Sequence, residues 1–234
     1  MPLGSSFVPP SHPPPRISRA CLIMLSLASL ALLTFASGAL AAPFKPRALN
    51  TRSLPNVIDA STAKSYLDEL TVEEESNSPA YDRDLFNTWI TIEGTCNTRE
   101  YVLKRDATEV EVGSDCYPTS GQWTSEYDDV STTDPADLDI DHIVPLKEVW
   151  VSGARNWDDD QREAIANDVT RPQLIAVTDN LNQSKGDKDI AEWVPPLDSY
   201  VCTYVQAWVQ VKQYYKLSVD SAEKDAIAGY LADC

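Results

Sequence analysis

The sequence predicts an α+β domain: a small antiparallel β region among flanking helices, stapled by disulfides. Three observations carry this expectation. Apolar residues recur at helical spacing in 59–92 and again in 197–231. Short extended segments broken by turn residues fill 96–127. A strand–loop–strand–helix run spans 138–190 and carries oxygen-bearing side chains at both ends.

The N-terminal stretch stands apart from that domain. Residues 1–19 are rich in Pro and Ser and hold Arg16 and Arg19 but no acid. Residues 20–35 are an apolar run with small hydroxyls, and Ala39 and Ala41 follow as an A-x-A site. Basic flank, apolar core and small-residue site together predict a secretory signal peptide over 1–41. The run is short for a membrane span, which needs about 20 residues. A disordered lead-in over 42–58 follows, with Lys45, Arg47 and Arg52, and then a single domain over 59–234. The mature protein is expected to be extracellular, monomeric and free of the membrane, with about 192 residues, enough for one core.

The formal charge is −17 and falls to about −19 once Arg16 and Arg19 are removed. A broad basic face for nucleic acid is therefore excluded, and any contact with phosphate has to be local and helped by a cation. Cys21 leaves with the signal, while Cys96, Cys116, Cys202 and Cys234 stay. An even set in an oxidising compartment reads as disulfides. Three pairings are possible; Cys96–Cys116 with Cys202–Cys234 is preferred, since each staples one local unit. No CxxC pair suggests a zinc ribbon.

Element by element, 59–75 reads as a helix capped by Ser61 or Thr62. Residues 79–92 read as a second helix running into an extended stretch, with Pro79 in its first turn and Tyr81, Leu85, Trp89 and Ile92 recurring at buried-stripe spacing. Tyr101–Leu103, Val110 with Val112, and Trp123 with Tyr127 mark three strands, followed by an acidic loop over 128–137. Residues 138–146 form a strand ended by Pro145, 147–151 a helical turn, and 158–169 a helix with acids at its N-terminus. A short strand, 174–177, leads into a helix starting at Thr178 or Asp179. Tyr200, Tyr204, Trp208 and Val211 fall on one face of a helix over 197–217, with a last helix over 221–231. Burial, rather than base stacking, explains that aromatic stripe.

Chemistry concentrates in Asp139-Ile140-Asp141-His142-Ile143-Val144-Pro145. His142 is the sole histidine after the signal. Two carboxylates and an imidazole on an apolar strand are costly unless paired or bound to a cation. Neighbours on a regular strand face opposite ways, so Asp141 and His142 share a site only where the strand bends or ends. Some forty residues on, Gln173–Thr178 leads into Asp179-Asn180-Leu181-Asn182-Gln183-Ser184-Lys185-Gly186-Asp187-Lys188. The segment Asn182-Gln183-Ser184 is also a glycosylation sequon, and a metal-binding Asn182 is expected to be buried enough to escape modification.

The segment 139–188 resembles the HNH nuclease motif. It is closest to secreted microbial HNH proteins whose cores read DIDHIVPL, TRPQL, AVTDN and N-x-SKGDK in that order, and the likeness extends over 96–234. The resemblance implies a ββα-metal core, with Asp141 as a metal ligand, His142 as general base and Asn182 as the ligand from the helix. Gln173 stands where the family's middle Asn fixes the loop that orients the histidine, a departure from the pattern. Lys185 lies one turn past Asn182 and could meet a phosphate; Asp139 stands beside the ligands. Oxygen donors suit Mg²⁺, with Mn²⁺ as substitute. The implied activity is endonucleolytic hydrolysis of phosphodiesters, DNA being favoured over RNA, leaving a 5′-phosphate and a 3′-hydroxyl. With an ordinary imidazole pKa near 6.5, activity is expected to rise from mildly acidic to neutral pH. The alternative is a secreted binding or effector protein that keeps the fold without turnover, which the acidity favours. A peptidase or glycosidase is disfavoured by the lack of G-x-S-x-G and H-E-x-x-H.

Overall fold

The computed structural model describes residues 54–234; the expected signal peptide and residues 42–53 of the lead-in lie outside the described residues. Disorder was expected through residue 58, but 54–58 are folded. Leu54 is buried, Ile58 N–H donates to Gln210 Oε1 at 3.1 Å and Gln210 Nε2 donates to the Asn56 carbonyl at 3.0 Å.

Helix α1 (Ala60–Glu69) is capped two residues before the expected Ser61. Asp59 is its cap, accepting from the Thr62 amide at 2.8 Å. It also stops before the expected Glu75. Beyond Leu70 the chain is extended: Glu73 N–H reaches the Val219 carbonyl at 2.9 Å and Val219 N–H reaches Thr71 at 3.0 Å. A long-range bridge beats a weak local preference at the β-branched Thr71 and Val72.

The helix expected to open 79–92 does not form, whereas the extended stretch expected after it does. Asn77 Oδ1 accepts the Tyr81 amide at 2.7 Å, and Asp82 caps a single 3₁₀ turn, Arg83–Leu85. Short polar side chains that bond the local backbone compete with helix. The stripe fails with it: Leu85 is exposed and Phe86 is buried instead. The extended stretch continues into β1 (Thr91–Glu93), which pairs antiparallel with β2 (Cys96–Asn97).

Residues Tyr101–Leu103, expected as a strand, lie inside helix α2 (Thr98–Asp106). Its start is written as Asn97-x-x-Glu100, a capping box in which each side chain bonds the other's backbone at 2.9 Å. A three-stranded antiparallel sheet follows, β3 (Thr108–Val112), β4 (Pro118–Thr124) and β5 (Ser131–Thr132) in that order. Tyr127, expected in a strand with Trp123, lies beyond β4 and is fully buried.

From there the reading and the structure agree closely. Strand β6 (Leu138–His142) is followed by α3 (Leu146–Val151), α4 (Asp159–Ala166), β7 (Leu174–Thr178) and α5 (Asp179–Lys185). Strands β6 and β7 pair antiparallel in unbroken register, from Leu138↔Thr178 to His142↔Leu174. Helices α6 (Asp198–Tyr215) and α7 (Ser221–Ala232) close the domain. Tyr200, Tyr204, Trp208 and Val211 of α6 are all buried, as their spacing predicts. Both preferred disulfides are present: Cys96–Cys116 closes the small β region and Cys202–Cys234 ties α6 to the end of the chain.

The β6–β7 ladder lies between two apolar clusters. Leu138, Ile140, Leu174 and Ala176 pack into a smaller one with Val102, Leu103 and Trp123. On the other face Ile175 and Val177 join the main core built around α6. That alternation puts Asp139 and Asp141 on the main-core face and His142 on the other. Among the described residues no helix is long and apolar enough to cross a membrane.

Candidate active site

His142 is the last residue of β6, and the strand end resolves the opposite-face problem. Asp141 and His142 leave the ladder on different sides, yet both line one cavity of about 310 Å³. Asn182 of α5, Gln183, Asp187 and Arg83 line it too. The register of β6 against β7 and the immediate start of α5 at Asp179 bring Asn182 back beside β6. Its Nδ2 donates to Asp139 Oδ2 at 3.2 Å, and the residue is half-buried.

The histidine is held in one state. Its exposure is 6%, Trp89 lies over it at 5.9 Å between ring centroids, and Nε2 is 2.9 Å from the Ala166 carbonyl. Ala166 ends α4, so its carbonyl is one that the helix leaves free. A carbonyl can only accept, so Nε2 carries the hydrogen and Nδ1 keeps the lone pair. Burial pushes the imidazole pKa down to about 3; the Ala166 hydrogen bond opposes that shift, and the charges of Arg83 and Lys185 add to it. This replaces the ordinary value near 6.5 assumed from sequence.

Asp141 is 4% exposed and bonded through Oδ2 to the Tyr127 hydroxyl and to Lys185 Nζ, the latter at 2.6 Å. Burial pushes its carboxyl upward while Lys185 and the Tyr127 hydroxyl oppose that shift. Lys185 is completely buried. Its ammonium also donates to the carbonyls of His142 at 2.6 Å and Ile143 at 3.1 Å. Burial pushes the ammonium down and Asp141 holds it up. With three acceptors inside the fold, Lys185 braces the end of β6 rather than reaching outward to a phosphate. Helix α5 ends just there because Gly186, at φ +56°, takes a conformation that L side chains rarely adopt.

Gln173 clamps the loop after His142. Its side chain accepts the Val144 amide at 3.1 Å and donates to the Val144 carbonyl at 2.9 Å, and its backbone carbonyl takes the Ile143 amide at 2.7 Å. Gln173 thus fixes the loop after His142 through its amide oxygen, its amide nitrogen and its backbone carbonyl.

The donor set suits a hard divalent ion. Asp141 keeps Oδ1 without a hydrogen bond among the described residues, and Asn182, with Nδ2 turned to Asp139, keeps its amide oxygen. Among the described residues, three acidic side chains close enough to hold a metal by themselves occur elsewhere, as Glu75, Asp189 and Asp220.

Sequence reasoning missed Arg83 and Trp89. Both sit more than fifty residues before His142, in a segment read as an ordinary helix, and no spacing rule connects them to the strand. Ala166 was equally hidden, because it acts through its backbone.

A strand-end histidine, an aspartate and an asparagine thus meet in one cavity of an α+β domain. Residues 97–230 match the family described as GmrSD restriction endonucleases, C-terminal domain, and the chain belongs to that HNH-associated family. It is also similar to an uncharacterized secreted protein of Arthroderma benhamiae, at 54% identity over 180 residues, spanning 77% of this chain and 88% of that protein. No solved structure matches. The two disulfides fit an extracellular location.

Proposed function

We propose that the chain is a secreted, metal-dependent endonuclease in which β6, β7 and α5 form the ββα-metal unit. One observation carries the reading: a neutral histidine, with Nε2 tied to a carbonyl, shares a cavity with an aspartate and an asparagine that each keep an unbonded oxygen. Family membership and the secreted relative support it.

In this reading Asp141 and Asn182 hold Mg²⁺, or Mn²⁺ in its place. When bound there, such an ion would supply Lewis-acid stabilisation of negative charge at the reacting phosphodiester. His142 Nδ1 takes a proton from the water that attacks phosphorus. The Ala166 carbonyl keeps the tautomer and stabilises the imidazolium as it forms. Gln173 holds the backbone that carries His142, and the Lys185 ammonium opposes the upward push that burial gives the Asp141 carboxyl. Asp139 aims the Asn182 amide. The attacking water ends as a 5′-phosphate oxygen, the departing 3′ oxygen takes a proton from solvent water to become a 3′-hydroxyl, and His142 gives its proton back to solvent. DNA is the favoured substrate.

Plasmid nicking across a metal series tests this. The mature protein is expected to nick supercoiled DNA with Mg²⁺ or Mn²⁺ and not with chelator. The His142→Ala variant is expected to lose about 10²- to 10⁴-fold in rate. Inactivity of the parent with every divalent ion would favour a second reading, a binding protein without turnover, to which the charge of −17 lends weight.

A further inference from the structure

A phosphodiester entering this cavity brings negative charge to a wall that already holds Asp141 and Asp187. The nearby lysines are engaged. Lys185 is buried on Asp141, Lys147 stands 3.7 Å from Asp187, and Lys188 donates to the Ser184 carbonyl. Arg83 is different. It is the cationic side chain among the cavity's lining residues, it is exposed, and it takes part in no ion pair among the described residues. Its neighbour is the Tyr81 hydroxyl, a neutral group.

We infer that Arg83 is the residue that grips the substrate phosphate, its guanidinium bonding the two non-bridging oxygens of the phosphodiester that His142 and the metal ligands address. The inference rests on the nuclease reading. A planar fork of donors fits a phosphate in two-point contact, and an arginine without a carboxylate partner has its donors available. It also answers the charge problem: one local cation at the reacting group, with no basic face around it, suits an acidic secreted protein. The Asp82-capped 3₁₀ turn that replaces the expected helix is what presents Arg83 at the cavity.

The test compares the mature protein with Arg83→Ala and Arg83→Lys. It measures cleavage of a single-stranded and a duplex oligonucleotide, binding of the same oligonucleotides by fluorescence anisotropy over a salt series, and thermal unfolding. The Ala variant is expected to lose roughly 10- to 100-fold in kcat/KM, the scale of one charge-assisted contact. The Lys variant should recover part of that. The slope of log affinity against log salt should fall by about one in the Ala variant, with the midpoint of unfolding unchanged. A purely structural arginine would shift unfolding and leave the salt slope alone. If the parent cleaves while Arg83→Ala stays within twofold in rate and salt slope, this inference falls and the nuclease reading stands. If the parent neither cleaves nor binds, both fall.

Discussion

At the scale of single residues, burial and hydrogen bonding fix the protonation and direction of the groups that line the cavity. His142 is neutral because burial denies it a proton, and it is directed because a helix-end carbonyl holds Nε2. Asp141 would be an unfavourable buried carboxylate without Lys185, and Lys185 an unfavourable buried ammonium without Asp141. One prediction belongs here. With a pKa of about 3 in the folded protein, His142 takes up a proton only below that value, so the free base is present throughout the mildly acidic range. The profile of kcat/KM against pH should therefore have no inflection at the ordinary imidazole value of about 6.5. A drop in rate centred near 6.5, absent when another residue replaces the general base, would contradict the buried, neutral state assigned to His142.

At the scale of elements, buried charge also fixes how the helices meet. Lys212 of α6 is fully buried and donates to Glu148 of α3 and Glu223 of α7, each at 2.6 Å, and to the Ser218 carbonyl at 2.9 Å. The two carboxylates outweigh the burial that would depress the lysine, so it is held above its usual range. Replacing Lys212 with Met leaves two carboxylates buried without their cation, at a cost of about 3–5 kcal/mol. Urea unfolding of Lys212→Met at neutral pH checks that; a loss below about 1 kcal/mol would mean the helices do not depend on this junction. The elements also tell how much was legible. β6, β7, α5 and α6 could be read because their apolar patterns are strong and their packing partners are local or uniform. The segment 79–92 misled because Tyr81, Leu85, Trp89 and Ile92 keep helical spacing, while Asn77 and Asp82 spend their oxygens on nearby backbone amides. Tyr101–Leu103 misled for the opposite reason: three apolar residues looked like a strand, but the capping box four positions earlier starts a helix. The site's aspartate, histidine, asparagine and glutamine were legible from motif order. Arg83, Trp89 and the Ala166 carbonyl were not, since tertiary folding alone brings them there.

At the scale of the whole molecule, the acidic charge and the nuclease reading are compatible if the cations lie at the reacting group rather than across the surface. Surface acids favour solubility, one disulfide ties the small β region and the other the last helices, and the cavity at the end of β6 gathers Asp141, His142 and Asn182. A competing location for a metal exists in the same molecule, at Glu75, Asp189 and Asp220. There partial burial and the neighbouring Glu148 push Glu75 up to about 7, so one carboxyl of the group keeps its proton near neutrality. The central claim is that the divalent ion belongs instead to Asp141 and Asn182. Anomalous diffraction from crystals of the mature protein soaked in Mn²⁺ tests it most directly. A manganese peak is expected within oxygen-ligand distance, about 2.2 Å, of Asp141 and Asn182, with His142 outside the coordination sphere. Manganese bound only at the Glu75 cluster, or ligated by His142 itself, would contradict it.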